Sequence, residues 1–175
     1  MKKVCIFIIS LFMLGNLTRV SAQVRETLVK IGDEVPEFVV EMFDGEKINI
    51  KDLKGKIVLI NFWATWCPPC QEELKRVQKE IIERFKGKDF VFLAISREES
   101  KEQVKRFREK NKYTFPMGLD PERKIYSKFA TSTIPRNFII DKNGKIVGIE
   151  FGYSKASFDK MINKLEKLLK ENSKS

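Results

Sequence analysis

The chain has 175 residues, 34 Lys and Arg against 24 Asp and Glu, a formal net charge of +10, three Cys and no His. Without histidine it cannot build a Ser-His-Asp or Cys-His catalytic arrangement, or a two-His zinc site, on its own. Proton transfer must then use carboxylates, thiols, amines, phenols or water, and the length suits one α/β domain behind a leader.

Met1-Lys2-Lys3, the apolar run over residues 4–14 and Val20-Ser21-Ala22 ahead of Gln23 form the three parts of a secretory signal peptide. The apolar run is shorter than the ~20 residues of a membrane span. Cleavage near Ala22–Gln23 is therefore expected in preference to an N-terminal anchor, and Cys5 lies too early in the run to carry a lipoprotein lipid. The chain divides into a signal peptide (1–22), a mobile lead-in (23–31) and one domain (32–172). Cleavage takes Lys2, Lys3 and Arg19 and no acid, so three of the ten net charges go and +7 remains. It also leaves Cys67 and Cys70 as the only cysteines, in an oxidising compartment where cysteines pair. A bridge between residues three apart staples little chain, so it is expected to serve chemistry rather than framework.

Residues 38–40 and 47–50 flank Asp44-Gly45 as a hairpin. Residues 57–64 (IVLINFWA) read as a strand buried on both faces. A helix is expected over 68–85, with Leu74, Val77 and Ile81 at helical spacing and Gly87 as its stop. A second buried strand covers 90–96. Ser100 and Gln103 form a capping box for a helix to about residue 110. Asp120-Pro121 reads as the start of another helix, with Ile125, Tyr126 and Phe129 facing inward. Strands over 137–141 and 145–151 are joined by Lys142-Asn143-Gly144, and a final helix runs over 157–171. The order gives a mixed sheet covered on both faces by helices.

The segment FWATWCPPC crosses from the first buried strand into a helix start. Cys67 falls at the helix N-terminus, where the partial positive charge favours a thiolate, and Cys70 follows one turn later. Pro68 and Pro69 are tolerated in the first turn, but each removes an N–H that could stabilise that thiolate. The expected couple therefore lies toward the reducing end of the range from about −270 to −120 mV. Reduced Cys67 would attack a partner disulfide, and Cys70 would resolve the mixed disulfide. A four-Cys zinc site is excluded within one mature chain, and neither a metal nor a cofactor beyond the redox-active cysteine pair is expected.

With Gly32-Asp33, Pro36-Glu37-Phe38, VLINFWATWCPPC, Ile134-Pro135 and FIIDKNGKIV in this order, the sequence resembles the thioredoxin fold, and within it the exported TlpA/ResA-like thiol–disulfide oxidoreductases. The resemblance implies an N-terminal β-hairpin extension and a cis-proline at Pro135 facing the Cys pair. Lacking an N–H, Pro135 leaves the Ile134 backbone free for a partner strand. Trp66, Pro68, Pro69, Ile134 and Pro135 are the expected substrate-contacting residues. Asn61 stands where cytoplasmic thioredoxins carry a buried acid. Glu73, three residues past Cys70, is the expected carboxylate tuning the thiols. Three departures stand out. Lys75 replaces a helix-bending proline, Thr131-Ser132-Thr133 lacks the glycine often found there, and Arg136-Asn137 replaces the commoner Thr-Thr. These last residues are expected to rim the docking groove.

The resemblance implies an enzyme that reduces protein disulfides, with apocytochrome c as substrate class and a membrane thiol-transfer protein as electron donor. The protein is expected to be a monomer with no nucleic-acid partner. A peroxiredoxin-like thiol peroxidase would need Thr at Ala64 and Pro at Ile60, and the pattern fails. A copper-handling module would need a wider Cys spacing and a distant His.

Overall fold

The computed structural model describes residues 26–172; the expected leader and cleavage point lie outside them. Seven strands form one mixed sheet: β1 (Val39–Met42), β2 (Lys47–Asn49), β3 (Ile57–Trp63), β4 (Phe90–Arg97), β5 (Met117–Asp120), β6 (Arg136–Ile140) and β7 (Ile146–Phe151). Their order across the sheet is β2-β1-β5-β4-β3-β6-β7. β3, β4 and β5 run parallel, while β6 is antiparallel to β3 and β7 to β6. The helices are α1 (Pro68–Val77), α2 (Lys101–Asn111) and α3 (Lys155–Asn172).

β3 is buried at every position, as a central parallel strand must be. Its alternation divides the core. Ile57, Leu59 and Trp63 pack with Leu74 and Val77 of α1, Val104 of α2 and Phe158, Met161 and Leu165 of α3. Val58, Ile60 and Phe62 pack on the opposite face with Phe38, Tyr126, Phe129 and Phe138. All three helices thus cover one face, and the expectation of helices on both faces is corrected. The other is closed by short 3-10 turns at Ile50–Leu53 and Tyr126–Lys128 and by apolar residues near the N-terminus.

Several expectations are corrected. The helix after Asp120-Pro121 is a run of turns ending in one 3-10 turn. Asp120 does cap, its carboxylate accepting from the Ile125 and Tyr126 N–H groups. However, Arg123 adopts φ +59°, which ends any right-handed helix there. β5, beginning just after Pro116, was not expected at all. α1 passes at Gln78–Glu83 into a π-helical turn, a register change of the kind that interrupts helices. The lead-in is held from Glu26 onward. Thr27 bridges to Ala130, and Leu28 N–H donates to Phe129 O at 2.8 Å. The capping box of Ser100 and Gln103 forms with both its hydrogen bonds.

Candidate active site

Central strand β3 ends at Trp63, and Ala64-Thr65-Trp66 turns the chain into α1. Cys67 is the N-cap, in extended conformation, with Pro68 and Pro69 in the first turn. Proline suits these positions because their N–H groups would have no intrahelical acceptor. Cys67 and Cys70 form a disulfide with Cα atoms 5.2 Å apart, and Cys70 N–H points at Cys67 Sγ from 3.3 Å. The first free helical N–H after the two prolines is therefore aimed at the sulfur that would carry the thiolate.

The turn before Cys67 is fixed from two sides. Glu99, buried after β4, accepts from Thr65 N–H at 2.8 Å, from the Thr65 hydroxyl and from the Ser96 hydroxyl at 2.7 Å. Gln71 of α1 donates to Thr65 O at 2.6 Å. Trp66 is left 56% exposed, with the Arg97 guanidinium 5.6 Å from its ring. Cys67 and Cys70 are themselves buried, so the exposed surface around the pair is that of Trp66 and its flanks.

The peptide bond Ile134–Pro135 is cis, and Ile134 O lies 3.6 Å from Cys67 Sγ. Trp66, Pro68, Pro69, Ile134 and Pro135 thus lie close to the Cys pair in sequence or space. The strand after Pro116 raises that residue as a rival for the facing position, but only Ile134–Pro135 is cis among the described residues.

Beneath the sulfurs lies a buried polar chain. The β3–β6 register sets Asn61 opposite Asn137, and Asn61 Nδ2 donates to Asn137 Oδ1 at 2.8 Å. Asn137 Nδ2 donates in turn to Glu73 Oε1 at 2.7 Å. Glu73 shares the buried face of α1 with Cys70, one turn on. Burial pushes its carboxyl up to about 7, against the opposing pull of the Asn137 and Asn61 amides. Glu73 Oε2 has no donor among the described residues, which further favours the protonated acid in so dry a position.

Arg136 and Asn137 do not rim a groove. Both are buried, on opposite faces of β6, because side chains alternate along a strand. Sequence reasoning also missed Glu99. Its one signal is an acid placed between a buried strand and a helix cap. Among the described residues no cluster of three or more His, Cys, Asp or Glu is arranged to hold a metal ion.

With this geometry established, comparison with known proteins is informative. Residues 31–149 match the AhpC/TSA family. Thiol-disulfide oxidoreductase ResA from Bacillus cereus is 40% identical over 119 residues, covering 68% of each chain. Its counterpart from Bacillus subtilis is 36% identical over 121 residues, covering 69% of this chain and 67% of that one. A solution structure of a candidate protein disulfide isomerase from Bacteroides thetaiotaomicron superposes with a TM-score of 0.79 at 34% identity, over 83% of this chain and 93% of that one. The chain belongs to the AhpC/TSA family and, within it, to the ResA-like thiol–disulfide oxidoreductases.

Proposed function

We propose that this protein is exported by its N-terminal leader, cleaved near Ala22–Gln23, and works outside the cytoplasm as a reductant of specific protein disulfides. The disulfides in question are those of the cytochrome c maturation type, with apocytochrome c as the substrate class. The observation that carries the reading is the cap geometry. One free N–H, that of Cys70, faces Cys67 Sγ where two prolines have removed others. So sparse a donor set stabilises the thiolate moderately, and a moderate thiolate belongs to a reducing couple.

The reaction begins with both cysteines reduced. The Cys67 thiolate attacks one sulfur of the partner disulfide. The partner S–S bond breaks, a Cys67–partner S–S bond forms, and the displaced partner thiolate takes up a proton. Cys70 then loses its proton and attacks Cys67 Sγ, closing Cys67–Cys70 and releasing the second partner thiolate. Two electrons pass to the partner. A membrane thiol-transfer protein returns them by the same two steps in reverse. The partner segment lies as an added strand beside Ile134, next to the proline that cannot pair in the ladder. Trp66, with Pro68 and Pro69, gives it an apolar face. Glu73 holds or releases the proton that Cys70 exchanges, and Asn61 orients Glu73 through Asn137. The protein acts as a monomer and needs no metal or cofactor for this chemistry.

Two measurements test the reading. The midpoint potential of the Cys67–Cys70 couple should fall nearer about −270 than about −120 mV; a value at the oxidising end assigns disulfide formation instead. Cys70→Ser should accumulate a mixed disulfide through Cys67, and the trapped protein names the partner.

A further inference from the structure

Arg136 is wholly buried, directly after the cis-proline, on the face of β6 turned away from α1. Its Nη2 donates to Ser132 O at 2.9 Å and its Nε to Thr133 O at 3.3 Å. Its Nη1 donates to Thr27 Oγ1 at 2.5 Å. The nearest carboxylate is Glu26, whose Oε2 stands 3.8 Å from Nη2. The Tyr126 hydroxyl lies 2.5 Å from Ser132 O and 2.8 Å from Thr133 O, so it can donate to either.

These partners converge on a residue with an unfavourable backbone. Thr133 has φ +69°, a region that a β-branched side chain rarely occupies and glycine adopts freely. Glu26 adds two restraints. Its Oε2 accepts from Thr133 Oγ1 at 2.8 Å, and its carbonyl accepts from Thr131 N–H at 2.8 Å. The next residue along is Ile134, whose carbonyl faces Cys67 Sγ. A conformation that Thr133 would not hold alone therefore fixes the carbonyl that stands 3.6 Å from the reactive sulfur.

We propose that Arg136, together with Glu26 and Thr27, is a positioning clamp that holds Thr133 in a left-handed conformation and so sets Ile134 and Pro135 for a docking substrate strand. The proposal rests on the thiol–disulfide exchange reading and extends it. The segment just after the expected leader is a working part of the substrate site rather than a tether. The guanidinium fork suits this task because its donors, spread over Nε, Nη1 and Nη2, reach two successive carbonyls and a hydroxyl, whereas the three N–H groups of a lysine radiate from a single nitrogen.

The clamp predicts a split between substrates. A protein disulfide needs the docking strand, whereas a small aromatic disulfide needs only an accessible thiolate. In the purified full chain, Arg136→Thr should lower kcat/KM for insulin disulfides about tenfold with dithiothreitol as donor, while the pre-reduced protein, freed of dithiothreitol, should react with dithiobis(nitrobenzoate) at a rate changed by less than about twofold. Adding Thr133→Gly should restore the insulin rate to within about threefold of the parent, since glycine needs no clamp. Glu26→Gln, a milder change, should give an insulin-selective loss of about threefold.

Equal losses on both probes, an unchanged insulin rate, or failure of Thr133→Gly to restore it would overturn the clamp. If Arg136→Thr does not fold, Glu26→Gln decides alone, and an unchanged insulin rate then overturns it. If the parent protein reduces neither probe, it is the exchange reading that fails.

Discussion

Asn137 on β6 donates its side-chain N–H to Glu73 on α1 at 2.7 Å, and this bond joins the sheet to the helix that carries both cysteines. It leaves Glu73 Oε2 without a donor among the described residues, in a position where burial already lifts the carboxyl to about 7. In the unfolded chain the same group titrates near 4.5. Below that pH it is neutral in both states and adds nothing. Between 4.5 and 7 the unfolded state ionises while the folded state resists, so stability falls as pH rises. The full loss is on the order of 3 kcal/mol, reached just above neutrality. Glu73→Gln should abolish this slope. Urea unfolding from pH 4.5 to 8 should show the parent losing stability against the variant, and parallel curves would refute the shift. The same substitution should remove from the exchange pH–rate profile a limb with apparent pKa near 7.

Because the Asn137 bond favours the ionised carboxylate, it pulls the Glu73 pKa downward against burial. Asn137→Ala should therefore raise that pKa above its present position, and the Glu73 carboxyl carbon followed by NMR titration would show the move. The Asn61 amide would lose its acceptor at the same time, at a cost of about 1–3 kcal/mol in stability. A Glu73 titration unmoved by the substitution would mean that the bond has no electrostatic influence on the site.

The motif was legible because its signals are local. Seven buried residues of β3 run straight into a cap and two prolines, and the spacing of Leu74 and Val77 marks the buried face of α1. The polar support was not legible for the opposite reason. Asn137 meets Glu73 across 64 residues and Asn61 across 76, while Arg136 meets Thr27 across 109. Two polar residues after a proline suggest a solvated rim until the alternation of β6 is known to lie inside the sheet. β5 escaped notice because four residues, one of them glycine, carry too short a pattern. The helix expected after Asp120 failed on one backbone angle, that of Arg123, which no residue type announces.

Gly118 on β5 shows how tightly that unexpected strand is seated. A Cβ built there would stand 2.5 Å from Val40 Cγ2 and 3.4 Å from Met42 Sδ. Val40 and Met42 are buried on β1, and β1 is hydrogen-bonded to β5, so neither strand can move aside alone. Gly118→Ala should destabilise the protein by about 1–3 kcal/mol through overpacking. The Cys67–Cys70 potential, set at the far side of β4 and β3, should stay unchanged. A lowered urea midpoint with an unaltered potential is the expected pair of results, and an unaffected midpoint would show that Val40 can turn away.

Glu99 offers the sharpest test of how the turn before Cys67 is held. Its buried carboxylate accepts from the backbone and hydroxyl of Thr65 and from the Ser96 hydroxyl. Glu99→Ala would strand these donors beside Trp66, costing about 2–4 kcal/mol if none finds a new acceptor. Glu99→Gln keeps the volume but turns one acceptor into an amide donor facing donors, so it should recover only part of that loss. Thr65 precedes Cys67 by two residues, and a looser turn would misplace the helix cap as well as weaken the fold. Both variants should therefore show a raised Cys67 pKa in the reduced protein, read from the pH dependence of alkylation, because Cys70 N–H no longer faces the sulfur in one fixed geometry. A loss of stability with an unchanged alkylation profile would confine Glu99 to holding the fold.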